Sequence, residues 1–260
     1  MTSAPRPRIA SLVPSLTELL VVLGLRDHLV ARTGFCIHPA HAVRSIDKVG
    51  GTKDVNLAKL RRLAPTHVLV NVDENRLDTV QALREFVPEV IVTHPCAPDD
   101  NLALIAQMAA AFGHIAGVAD RAAALHRELE HQLAVTRAQV QAPRNVLYLI
   151  WRDPWMTVAR DTYISRMLAR VNLHTLPVVD GGENGAARYP VVRGDEPWLA
   201  QVHQVLLSSE PYAFGARHLD EARTLCPQAQ VRLVDGELIS WYGARAVPGL
   251  RYLRTLAASS

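Results

Sequence analysis

The sequence predicts an α/β protein: two Rossmann-like lobes with parallel sheets, joined by one long backbone helix. Three observations predict it. Short apolar runs alternate with segments of helical period along the whole chain, the pattern of strands covered by helices. A stretch from Val118 to Gln141 without Gly or Pro divides that pattern in two. The halves also echo each other: LAPTHVLVNVDENR at 63–76 and LAQVHQVLLSSEPY at 199–212 each read as a helix end, a buried strand and an acidic loop, with Glu74 and Glu210 in register. At 260 residues the chain suits one large domain or two small ones. The boundaries predicted are 1–117 for the first lobe, 118–142 for the linking helix and 143–260 for the second lobe.

The elements follow in order. Ile9 to Val13 is a strand. Ser15 sits at an N-cap position with Glu18 three residues on, a capping box, and Leu16, Leu19, Leu20 and Leu23 continue at helical spacing to Gly24. A strand near His28 to Ala31, a helix over Val55 to Leu63 and a strand over Pro65 to Val70 come next. The polar loop Asn71 to Arg76 leads into a helix over Leu77 to Phe86, a strand over Val90 to Val92 and a helix over Asp100 to Phe112. From Val118 the apolar residues Ala122, Leu125, Leu129 and Leu133 step by three or four, predicting a rod ~36 Å long. After Pro143 the alternation restarts. Val146 to Ile150 and Met156 to Ala159 read as strands, Asp161 to Val171 and Pro197 to Val202 as helical. Val205 to Leu207 is a strand, a short helix ends near Ala222, Val231 to Val234 is a strand, and Pro248 to Ala258 is a closing helix.

Composition excludes several classes. The chain is 49% hydrophobic and 20% charged, too apolar for disorder. A net charge of +3 with scattered bases, no Lys/Arg run and no RNP-like motif argues against nucleic acid. Three cysteines, an odd number, exclude a disulfide-dense scaffold. No run of 18 uncharged apolar residues offers a membrane span. Met1 to Arg8 does not read as a signal peptide, so the chain as written is expected in the cytosol. No GxSxG, Walker loop or HExxH motif is present, and no catalytic residue is assigned.

In parallel sheets ligands bind outside the carboxyl ends of the strands, so the residues just after each strand are the candidates. All four Trp and all six Tyr lie after residue 147, and several fall in such loops: Trp151, Trp155, Tyr189, Tyr212, Trp241 and Tyr242. Loop aromatics offer flat apolar area with a polar handle to a ligand; packing within the lobe is the other use. Phe35 adds one in the first half. Asn71, Arg76 and Arg152 could hydrogen-bond a polar rim, although Arg152 beside Asp153 also reads as an intraloop ion pair. Cys36, His38, His41, His94 and Cys96 form a thiol and imidazole group on two loops, without a complete zinc signature. They read either as metal candidates, with His38 or His94 as an axial ligand, or as small buried cysteines and capping histidines. Glu74 and Glu210 read as acid/base groups, docking charges or ligand-orienting contacts.

The segments SLVPSLTELLVVLG (11–24), VGGTKDVNLAKLRRLAPTHVLV (49–70), the rod at 118–141 and VLYLIWRDPWMTVARDTYISRMLARV (146–171) resemble the helical-backbone class of periplasmic binding proteins. The likeness is to the cobalamin-binding proteins of vitamin B12 uptake and, more widely, the siderophore and haem receptors. The resemblance implies a two-lobed binder that holds cobalamin or a related metal chelate between its lobes, performs no chemistry and needs no cofactor. It implies stacking on Trp151, Trp155, Trp241 and Tyr242, and one acidic residue per lobe, at Glu74 and Glu210, presented to arginines of an ABC permease. It also implies a periplasmic location, against the cytosolic one that the missing leader suggests. The segments RTGFCIHP and SWYGAR depart from the family pattern. Two other readings stand beside this one: a tetrapyrrole metal chelatase using His38, His94 and Glu74, and a cytosolic chelate carrier or regulator.

Overall fold

The computed structural model describes residues 6–139, 142–183 and 185–259. They form two compact units. One takes the chain up to His94, then Leu102–Arg127 and Tyr242–Ala244; the other takes Pro95–Asn101, Glu128–Trp241 and the chain from Arg245.

The first unit opens with β1 (Ile9–Ser11) and α1 (Pro14–Val22), then β2 (Leu29–Arg32), α2 (Ala40–Val43), β3 (Asp47–Lys48), α3 (Leu57–Arg62), β4 (His67–Asn71), α4 (Leu77–Leu83), β5 (Glu89–Thr93) and α5 (Asp100–Phe112). The strands make one parallel sheet in the order β3-β2-β1-β4-β5. A sheet covered on both faces needs apolar residues at successive positions. Accordingly Ile9 and Ala10 of β1 and Val68, Leu69 and Val70 of β4 are all sealed from solvent. Leu12, Ala31, Val49, Leu60 and Leu83 complete the core on one face.

The capping box expected at Ser15 is not formed. Helix α1 starts two residues earlier, with Val13 as an extended N-cap that makes no side-chain bond and Pro14 as the first helical residue. Pro14 sets the helical φ and has no N–H to satisfy, so the first turn needs no hydroxyl cap. Helix α3 and two helices of the second unit do carry side-chain caps: at the start of α3, for example, Asn56 accepts from Lys59 N–H. The sequence reading passed over α2 and β3 because both are too short to show a period, and β3 is an exposed edge strand.

Helix α6 (Val118–Ala138) is 21 residues, about 30 Å long at 1.5 Å per residue. Its residues through Arg127 count with the first unit and those from Glu128 with the second. Arg121 fixes the early turns by donating to Leu23 O at 2.7 Å and Ala116 O at 3.2 Å. The sequence reading carried this helix on to Gln141; residues 140 and 141 lie outside the described residues, as does the opening of the chain through Pro5 that was read for a leader.

The second unit contains β6 (Arg144–Leu149), β7 (Trp155–Met156), α7 (Tyr163–Ala169), β8 (Leu173–Thr175), β9 (Val191–Val192), β10 (Gln204–Ser208), α8 (Leu219–Leu225), β11 (Gln230–Val234), α9 (Gly236–Ser240) and α10 (Ala246–Ala258). Its main sheet is again parallel, in the order β11-β10-β6-β8. The strand expected over Met156 to Ala159 is shorter: β7 pairs antiparallel with β9 in a separate ribbon, which Thr157 and Ala159 extend through backbone bonds to Pro190 O and Arg188 O. Pro197–Gln201 is a 3-10 turn, and Ala222 lies inside α8 rather than at its end. Helix α10 is tied to the second part of α6. Arg254 donates to Thr136 Oγ1 at 2.8 Å and to Gln132 Oε1 at 2.7 Å, and Arg251 donates to Glu128 at 2.5 Å. Thr136 and Gln132 are buried.

The two sheets share one plan. In each, the first strand is interior, the strands that come next in the chain lie on one side of it (β2 and β3; β8), and the last two lie on the other (β4 and β5; β10 and β11). Strands β4 and β10 therefore hold equivalent places, and the loops that follow them carry Glu74 and Glu210.

Candidate functional site: the loops at the carboxyl ends of the strands

In the first unit the loop after β2 is turned outward at Phe35, which is 63% exposed, and at Ile37. Gly34 N–H bonds Gly50 O at 2.7 Å, and the Phe35 ring lies beside Gly51. Between the two exposed side chains, Cys36 points inward. It is sealed from solvent, within 3.1 Å of Thr33 Oγ1, and burial pushes its thiol above the ordinary range. It is a small residue enclosed in the core, as one of the two sequence readings has it. His38 is half-buried.

The loop after β4 is organised by its own side chains. Asn71 Oδ1 accepts from Asp73 N–H at 2.8 Å and Glu74 N–H at 3.3 Å, while Asn75 donates to Thr52 O at 2.9 Å. Asn71 is buried and spent on this turn, so it does not present an amide outward. Arg76 is exposed and grips Asp78 with two nitrogens, its Nη2 at 2.7 Å. That bond holds the Asp78 carboxyl below its usual range. Glu74 is half-buried, and its Oε1 accepts from the Tyr242 hydroxyl at 3.1 Å. Tyr242 itself is 6% exposed; burial first, and the Glu74 charge second, push its phenol well above the ordinary value. After β5, His94 Nε2 lies 3.5 Å from Asp73 Oδ2.

The second unit places an aromatic cluster at the same end of its sheet. Trp151 is 42% exposed and meets Tyr212 edge-on at 5.7 Å between centroids. Tyr212 touches Phe214 at 4.7 Å, and Phe214 stacks on Trp155 at 5.9 Å. Phe214 is buried and Trp155 packs against the unit's core, so Trp151 is the open edge of the group. His218 supports it from behind. Gly215 N–H donates to His218 Nδ1 at 2.9 Å, and His218 Nε2 lies 3.2 Å from both the Tyr212 hydroxyl and Arg217 Nε. Arg152 lies over the Trp155 ring at 4.7 Å and donates to Glu221 at 2.7 Å. It also meets Asp153, as the sequence suggested.

Glu210 follows β10 and is half-buried. Ser240 Oγ donates to its Oε1 at 2.5 Å. Burial raises this carboxyl above its ordinary value, against the lowering effect of its bond to Ser240. Trp241 is only 8% exposed, with the Arg245 guanidinium over its ring at 4.6 Å. Cys96 belongs to this unit; its N–H donates to Asp100 at 2.8 Å, and Arg188 Nη2 approaches its sulfur at 3.9 Å. Tyr189 is half-buried. Among the described residues no three His, Cys, Asp or Glu side chains gather as a metal site.

The predicted aromatics thus divide by exposure. Phe35 and Trp151 face outward, Tyr212 and Trp155 support, and Trp241 and Tyr242 are enclosed. Sequence reasoning missed Ile37, Val178 and Val179, all exposed apolar residues on the loops that follow the second strand of each sheet. Their signal was an apolar pair or triplet beside Pro39 and Pro177, unread because β8 was not recognised. It also missed Ser240 as the partner of Glu210.

The architecture defines an α/β binding protein with twin parallel sheets and a long connecting helix. Residues 9–181 match the family described as periplasmic binding protein, and the chain belongs to that family. It is 24% identical to the vitamin B12-binding protein of Photorhabdus laumondii over 207 residues, 78% of this chain and 68% of that protein. Among solved structures it is similar to the periplasmic vitamin B12 binding protein BtuF of Vibrio cholerae, with a TM-score of 0.80, 19% identity and 98% of each chain covered. It is also similar to the periplasmic heme binding protein HutB of Vibrio cholerae, with a TM-score of 0.77, 22% identity, and 96% of this chain and 98% of that chain covered. No helix among the described residues is long and apolar enough to cross a membrane.

Proposed function

We propose that the chain captures a planar metal chelate of the tetrapyrrole type, cobalamin or haem, in the periplasm and hands it to an ABC-type permease without chemical change. The observation that carries this reading is Trp151: a large aromatic left 42% exposed at the carboxyl end of a parallel sheet, braced edge-on by Tyr212. A braced, flat, partly open indole loses little side-chain freedom when a macrocycle lies on it. Phe35 and Ile37 offer the same apolar surface in the first unit. The names of the relatives support the choice of chelate. Glu74 and Glu210 are the acidic residues proposed to meet permease arginines, with Tyr242 and Ser240 setting the direction of the carboxylates.

The test is co-elution. Purified chain is mixed separately with cyanocobalamin and with haemin, then passed over a gel-filtration column while the chelate's visible absorbance is followed. Visible absorbance travelling with the protein at one equivalent per chain supports the proposal. Absence of both chelates from the protein peak, with the protein folded by circular dichroism, refutes it.

A further inference from the structure

The sheet of the first unit changes direction between β1 and β4: the chain leaves β1 toward β2 and β3, and leaves β4 toward β5 on the opposite side. At such a reversal the two following loops diverge, and a crevice opens outside the carboxyl ends of the strands. Its walls here are the first turn of α1, which follows β1, and the loop bearing Glu74, which follows β4. In this protein the crevice is filled. Tyr242, from a three-residue stretch far along the chain that counts with this unit, lies buried there. Its hydroxyl donates to Glu74 Oε1 at 3.1 Å and lies near the hydroxyls of Ser15 on α1 and Thr93 at the end of β5.

The next residue shows that this seat is built rather than incidental. Gly243 has φ +76, and a Cβ there would stand 3.3 Å from Leu19 Cβ and 3.6 Å from Ser15 O. The left-handed φ favours glycine there, and a side chain would press on Leu19 of α1. We infer that the switch-point crevice of the first unit is a phenol-binding site that the chain occupies with its own Tyr242, the strap Tyr242–Ala244 acting as resident ligand and lid. The chemical class it accepts is a para-substituted phenol: a flat ring for the slot between α1 and the β4 loop, and one hydroxyl to donate to Glu74. The inference does not depend on which chelate the protein carries.

The experiment empties the site and offers a substitute. Tyr242→Ala is prepared in the full chain, and amide exchange is measured in peptides covering 14–20 and 71–76. Exchange in both should rise about tenfold or more as the crevice opens. Added p-cresol should restore protection and raise the melting temperature of the variant, should leave the original protein unchanged, and should outperform toluene, which has no hydroxyl. Unchanged exchange in the variant, or equal effects of p-cresol and toluene, overturns the inference. If Tyr242→Ala does not fold, Tyr242→Phe decides. It keeps the ring, so exchange should rise at 71–76 and stay unchanged at 14–20; no change at 71–76 overturns the inference.

Discussion

Tyr242 donates its hydroxyl to Glu74 at 3.1 Å from a position 168 residues further along the chain. Two residues earlier, Ser240 makes the matching bond to Glu210. Each unit therefore holds the acidic residue that follows β4 or β10 with a hydroxyl from the same short stretch, 240–242. A half-buried carboxylate needs such a donor, because an unpaired one would bear the cost of leaving water. Four consequences can be measured.

Gly243→Ala should destabilise the protein by about 1–3 kcal/mol, since it imposes both a left-handed residue and a close contact with Leu19. Gly182→Ala is the control: φ is +78 but nothing lies within 4 Å, so the cost should fall near ~1 kcal/mol. Urea midpoints with unchanged slope read the difference. Equal costs would mean that the strap does not press on α1.

Burial raises the Glu210 carboxyl in the folded state. A carboxyl with a raised folded pKa favours folding fully below its unfolded value, and that contribution is lost as pH rises through the folded one. Glu210→Gln keeps the uncharged form and still accepts from Ser240. Its melting temperature should match that of the original protein near pH 4 and exceed it increasingly up to about pH 7. A difference independent of pH would contradict the burial assigned to this group.

Arg254 and Arg251 both join α10 to α6, but only Arg254 reaches the buried Gln132 and Thr136. Arg254→Ala should cost about 2 kcal/mol, because it strips charged donors from enclosed acceptors. Arg251→Ala removes an exposed ion pair with Glu128 and should cost under about 1 kcal/mol. Chemical denaturation ranks them; the reverse order would show that the network is not what holds α10.

Trp151 and Phe214 belong to one aromatic cluster and should separate binding from stability. Trp151→Ala, at an open edge, should weaken chelate affinity about tenfold and leave the melting temperature unchanged within error. Phe214→Ala, in the core, should cost about 3 kcal/mol or more. A large stability loss at Trp151 would mean that its exposed face does not serve a ligand.

The strands and the long helix were legible because their signals are local. Ile9 to Ser11, His67 to Asn71 and Gln204 to Ser208 are apolar runs that only a doubly covered strand explains, and Val118 to Ala138 keeps one period without a breaker. The echo of Glu74 and Glu210 was legible because it reflects two sheets with the same strand plan. The side-chain assignments were less so, since burial is set by distant parts of the chain. Nothing near Cys36 in the sequence reveals that it turns inward while Phe35 and Ile37 turn out. Asn71 looked like a ligand contact and is consumed by its own turn. Tyr242 reads in the sequence as a loop aromatic with a polar handle for a ligand; in the structure its hydroxyl bonds Glu74, a partner that no local pattern could show. Ser15 had the composition of a cap, yet Pro14 had already started the helix.

The central claim is that the protein binds a flat metal chelate against Trp151. Its most direct measurement is a fluorescence titration of the purified chain with cyanocobalamin and, separately, haemin, read beside the Trp151→Phe variant. The account predicts saturable quenching by one of them at one equivalent, with a Kd of about 1 μM or tighter, and a smaller quench in the variant. Linear, unsaturating quenching by both, identical with and without Trp151, would contradict it.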